Sequence, residues 1–170
     1  MKLSFILCKP IEPMILSNFI MDVENTDFSH IAISYGGTVF HAKFPKFKEE
    51  SWSRFESYYS VVNTYSFNVP ENKEDSLFDY LRDQVGKNYS ILQLFLIGVG
   101  LLSGSLNKYI SSVRLNGKKR VICSEAAAQI MIKFFGVNFM ESIDTIGLRD
   151  VQSMLDALES GDSYGNIWLP

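Results

Sequence analysis

Phe28-Ser-His-Ile-Ala-Ile-Ser-Tyr-Gly-Gly-Thr-Val-Phe-His-Ala-Lys-Phe44 decides the fold. Two β-rich runs flank Gly36-Gly37, a dipeptide suited to a two-residue hairpin turn because both central positions need positive φ. One strand is expected over about residues 29–35 and the next over about 38–44. Side chains alternate across a strand. His30, Ala32 and Ser34 therefore share one face, and Ile31, Ile33 and Tyr35 the other. Residues flanking such a turn pair, so Tyr35 meets Thr38, Ala32 meets His41 and His30 meets Lys43. This register puts the chain's two histidines within diagonal reach on one face.

The second informative stretch is Val121-Ile-Cys-Ser-Glu-Ala-Ala-Ala-Gln-Ile-Met-Ile-Lys-Phe-Phe135. A short β-branched run leads into Cys123, and good helix formers follow it. Ser124 and Glu125 suit a first turn, and Gly136 suits a C-terminal stop. Cys123 thus stands at a helix N-terminus, whose unpaired N–H groups and positive partial charge favour thiolate over thiol. The plain alternative is a small buried hydrophobe.

Around these two stretches the chain alternates strand and helix signals. Residues 2–8 read as a strand, and Pro13 to Met21 has roughly helical apolar spacing. Asp22 to Asp27 reads as an acidic loop, and Pro45 to Ser60 as a loop with a short helix over the sheet edge. Val61 to Val69 alternates as a strand. Glu74 to Val85 is an amphipathic helix stopped by Gly86. A last helix is expected over about 147–159, with Thr145 as cap and Gly161 as stop.

At 170 residues, 46% hydrophobic and 21% charged, the chain suits one domain (1–170) with a real core. A net charge of −3 gives no electrostatic footprint for nucleic acid. Cys8 and Cys123 make no disulfide framework, and the simplest compartment is reducing, hence cytoplasmic or within a viral particle. No convincing signal peptide opens the chain. Ile91 to Leu102 is apolar but far shorter than the about 20 residues that span a bilayer. It reads as a buried helix or one lining an acyl groove, the motive for a lipid acyl reading; peripheral apolar contact stays open, with Ile167-Trp168-Leu169 as a docking segment.

Cys123, His30 and His41 together suggest thiol chemistry. An imidazole within hydrogen-bond reach can take the thiol proton, and a second polar group can orient that imidazole. Cys123 is then nucleophile, His30 base and His41 orienting group. The helix N-terminus at Ser124 supplies N–H donors for an oxyanion. The reaction class is acyl transfer through a thioester. Two histidines and one relevant cysteine are too few for a metal, and no cofactor is expected.

Ser29-His30-Ile-Ala-Ile-Ser-Tyr-Gly36, Val39-Phe40-His41-Ala42, Gly86-Lys-Asn-Tyr89 and Ile122-Cys123-Ser124-Glu125 together resemble the circularly permuted NlpC-like papain-fold cysteine hydrolases. That group includes lecithin:retinol acyltransferase-like proteins and many bacterial and viral amidase-like proteins. In it the histidine strand precedes the cysteine helix, as here. The resemblance covers about residues 28–150. It implies an α+β fold with a small, partly closed antiparallel sheet packed against the nucleophile helix. It implies the same roles for Cys123, His30 and His41, and oxyanion support from Tyr89. The Thr-Pro pair that many relatives carry where Gly147-Leu-Arg-Asp150 stands is absent. The expected activity is cleavage of an amide bond of peptide or peptidoglycan-stem type, with Tyr35 and Trp52 as groove candidates. The alternatives are a lipid acyl hydrolase or acyltransferase using the same thiol, and a non-catalytic binding or structural module. The expected partner is a peptide-like or acyl-containing substrate.

Overall fold

The computed structural model describes residues 1–89, 120–139, 143 and 146–161. The apolar stretch 91–102, the breaks at 103–105 and 115–119, Thr145 and the tail 162–170 lie outside the described residues, as does the side chain of Tyr89.

The fold is α+β. In chain order the elements are β1 (Lys2–Pro10), α1 (Ile15–Glu24), β2 (His30–Tyr35), β3 (Thr38–Lys43), β4 (Lys46–Ser51), α2 (Trp52–Glu56), β5 (Tyr59–Asn68), α3 (Glu71–Gln84), β6 (Asn88–Tyr89), β7 (Arg120–Val121), α4 (Cys123–Phe135) and α5 (Leu148–Glu159). Five strands form an antiparallel sheet in the order β5-β1-β2-β3-β4. The two-residue β6 and β7 extend it beyond β4, with β7 parallel to β6.

The β2–β3 hairpin turns at Gly36 and Gly37, with φ of 59° and 80°, and Tyr35 pairs with Thr38 as the turn chemistry requires. Ala32 pairs with His41, also as expected, but the ladder stops there. The expected His30–Lys43 pair does not form, because β3 continues alongside β4 while the start of β2 parts from it. Residues 45–60 depart further from expectation. Lys46-Phe-Lys-Glu-Glu-Ser51 is not loop but a full strand, in which Phe47 is buried and lysines and glutamates hide the alternation. The acidic loop at 22–27 is shortened by α1, which runs to Glu24 and ends at left-handed Asn25. The last helix is capped at Gly147: the Asp150 carboxylate accepts the Gly147 N–H at 2.9 Å.

The sheet has two buried faces. Leu3, Phe5, Leu7, Ile31, Ile33 and Phe40 pack on one side with α3, α4 and α5. Ile6, Cys8, Ala32 and Val39 pack on the other with Phe55 of α2 and Tyr59. Among the described residues no helix is long and apolar enough to cross a membrane.

Candidate active site

The hairpin register brings the two histidines together. His30 Nε2 lies 3.2 Å from His41 Nδ1, on the face covered by α2. His41 is fully buried and His30 is 6% exposed. Tyr59 stacks on the His30 ring with centroids 5.1 Å apart, and His41 meets Phe55 and Tyr59 edge-on. A polar pair in such an aromatic pocket needs every hydrogen bond satisfied. The remaining His41 nitrogen, Nε2, finds Glu50 Oε2 at 3.3 Å. Arg54 Nε lies 3.8 Å from the other carboxylate oxygen.

Glu50 was not legible as a site residue because its strand was not. The Thr38–Ser51 register of β3 with β4 places Glu50 on the histidine face, diagonal to His41. The signal that could have found it is a second tight turn at Phe44-Pro45, which converts the hairpin into a three-stranded meander.

Burial sets the charge state. It is the main force holding His30 well below its ordinary 6.5, with help from His41 and Lys43. It also takes His41 down to about 3, aided by Lys43 and Lys48. Both rings are neutral at neutral pH.

Cys123 opens α4, as its sequence context requires, and is 2% exposed. It belongs to the apolar core on the face opposite the histidine rings. Yet it stands at the seam between faces. The β2–β3 ladder ends before Ile31, and the Ile31 N–H lies against the Cys123 thiol instead. The backbone N–H groups of Ser124 and of Cys123 itself also favour the thiolate. Burial outweighs them and, with a small push from Glu24, lifts the thiol to about 11. The helix N-terminus therefore does not yield a resting thiolate. Among the described residues no hydrogen bond joins the thiol to His30.

Cys8, which pairs with His30 across β1 and β2, is buried and donates its thiol proton to the His30 carbonyl at 3.6 Å. Tyr35 is a core residue whose hydroxyl donates to the Glu74 carbonyl at 3.5 Å, so it presents no groove surface. Trp52 is 41% exposed and leans on Phe55, the aromatic cover of His41. Ser124 is buried in the first turn of α4. An open cleft of about 790 Å³ runs along β4 and is lined by Lys48, Glu50 and Arg54, but by neither Cys123 nor His30. Among the described residues no group of three or more His, Cys, Asp and Glu side chains could hold a metal ion.

No protein-family model, curated protein or solved structure matches the chain.

Proposed function

We propose that the protein is a thiol hydrolase with a permuted papain-like arrangement, cleaving an amide bond of peptide or peptidoglycan-stem type. The observation that carries the reading is the seam. His30, neutral and hydrogen-bonded to His41 of β3, begins β2, and the next residue, Ile31, directs its N–H at a thiol on a helix N-terminus.

The chemistry follows from neutral partners. As Cys123 Sγ attacks the carbonyl carbon, an unprotonated nitrogen of His30 takes the thiol proton. The carbonyl oxygen becomes an oxyanion, and N–H groups at the start of α4 can stabilise it. Collapse of the tetrahedral species breaks the C–N bond, and the leaving amine takes the proton from His30. Water, deprotonated by the same ring, then releases the acid from the thioester and restores the thiol.

The test is hydrolysis of a panel of peptide anilides and N-acyl amino-acid amides. Wild type should turn over at least one and leave an acyl mass on Cys123 when quenched early. Full turnover by Cys123→Ala, or no turnover of any member by wild type, overturns the reading.

A second reading has its own observation. A buried thiol lifted to about 11 with no hydrogen bond to His30 among the described residues is also what a non-catalytic binding module would hold. It predicts a Cys123 alkylation rate that follows an ordinary buried thiol and ignores His30→Ala. Acyl transfer from lipids rested on residues 91–102, outside the described residues, and nothing described favours it.

A further inference from the structure

We infer that Glu50 is a positioning residue that fixes the tautomer of both histidines and leaves the Nδ1 lone pair of His30 as the base. The use of that lone pair rests on the thiol chemistry proposed above; the tautomer assignment rests on geometry alone.

A carboxylate only accepts hydrogen bonds, and a neutral imidazole has one N–H and one lone pair. Glu50 Oε2 lies 3.3 Å from His41 Nε2, so His41 carries its proton there. His41 Nδ1 must then accept, and its partner at 3.2 Å, His30 Nε2, must donate. The second nitrogen of His30, Nδ1, is left with its lone pair. The chain of donors has one direction, and Glu50 sets it.

Two features keep it so. His41 is fully buried beside Lys43 and Lys48, which disfavours the imidazolium that would reverse the donors. Arg54, 3.8 Å from the other carboxylate oxygen, adds a positive charge on the solvent side of Glu50. Without an acceptor at His41 Nε2 the pair could run either way, and half of its arrangements would place a proton where the base is needed. His41 alone therefore cannot orient His30; it transmits the choice made on β4.

The experiment is a long-range proton–nitrogen correlation spectrum of the imidazoles in ¹⁵N-labelled protein near neutral pH. Both rings should carry the proton on Nε2 and a lone pair on Nδ1. A proton on His30 Nδ1, or an imidazolium at His41, overturns the inference. Glu50→Leu, which offers no acceptor, should give mixed tautomers and slow iodoacetamide capture of Cys123 by about twofold, with Cys8→Ser as background, because about half of the arrangements keep the lone pair on His30 Nδ1. Glu50→Gln, whose amide oxygen can still accept, should restore the wild-type tautomers and most of the rate. Unchanged tautomers in Glu50→Leu overturn the role of Glu50. If Glu50→Leu does not fold, Glu50→Val, which likewise offers no acceptor, takes its place: unchanged tautomers there overturn the role of Glu50, and the wild-type spectrum alone decides the assignment. A capture rate indifferent to His30→Ala overturns the thiol chemistry and leaves the tautomer assignment to the spectrum.

Discussion

The two faces of the sheet are buried by different means. One is covered by α3, α4 and α5 and is apolar throughout its centre, from Leu3 and Phe5 to Ile33 and Phe40. On the other, among the described residues, the five-residue α2 and Tyr59 lie over a centre that holds His30, His41 and Glu50. The first face gains stability in proportion to the apolar area removed from water. The second would lose it, since each buried polar group costs about 1–3 kcal/mol when unpaired. There the two histidines and Glu50 partner one another across three neighbouring strands, with Arg54 of α2 beside the other carboxylate oxygen. A buried polar row, paired at every ring nitrogen but His30 Nδ1, is poor design for stability and keeps both rings neutral. Cys123 joins the two regions, packed in the first and facing the parting of β2 from β3.

The largest effect should come from that joint. Cys123→Ala should lower hydrolysis of an accepted amide by at least about 10³-fold, while the urea midpoint moves little, because alanine also fills a small buried position beside Ala126 and Ala127. Steady-state turnover and urea unfolding check both halves. A parallel loss of activity and fold would show that the residue belongs to the core alone.

The faces can next be set against each other with one substitution. Phe5→Ala opens a cavity among Phe67 and Phe135 and should cost about 3–5 kcal/mol without moving either histidine. Phe55→Ala removes the ring against His41 and admits water, so it should cost less and raise the His41 pKa from about 3 towards 6.5. Urea midpoints and imidazole titrations by NMR separate the two. Equal stability losses with unmoved titrations would erase the distinction between the faces.

The histidine face should also make stability depend on pH. Both rings stay neutral when folded and titrate near about 6.5 when unfolded. Below that pH the unfolded chain binds more protons, so stability rises with pH there and is lost as pH falls from about 6.5 towards about 3 for His41. The slope is at most about 1.4 kcal/mol per pH unit per ring. Urea midpoints between pH 6.5 and 5, above the range of ordinary carboxylates, follow it; the raised Glu24 carboxyl acts with the opposite sign and cancels when His41→Gln is set against wild type. His41→Gln should remove about half the slope. A flat profile would mean the rings are wet.

How far the sequence carried follows from the same contrast. Gly36-Gly37 fixed the hairpin and hence the histidine pair, because turn chemistry and two-residue periodicity are local. Gly136, left-handed at φ 71°, closed α4 as read. Glu50 was hidden because β4 has no β-branched residue, so its strand shows only in the pairing with β3. The thiol's environment was hidden too. A helix N-terminus is visible locally and argues for a lowered pKa, whereas the burial that raises it comes from the packed core. The parting of β2 from β3 depends on β4 and was no more visible than β4 itself.

The smallest effect concerns the apolar face and reaches the seam from behind. The Glu24 carboxylate, at the end of α1, accepts the N–H groups of Leu148 and Arg149 and so caps α5. A Cβ on Gly147 would stand 2.5 Å from Glu24 Oε2, which is why glycine suits that cap position. Burial raises the Glu24 carboxyl above its usual range, and its charge is among the influences that raise Cys123. Glu24→Gln should weaken the cap by up to about 1 kcal/mol, partly offset because a buried charge is removed. It should also let the thiol titrate slightly lower, since Glu24 is the weakest of the influences on it. Urea unfolding and the ultraviolet absorbance of the thiolate against pH measure the two. A thiol that titrates unchanged while the helix loosens would confine Glu24 to capping; a thiol that falls would show that the apolar side, and not only the histidine side, sets how readily Cys123 ionises.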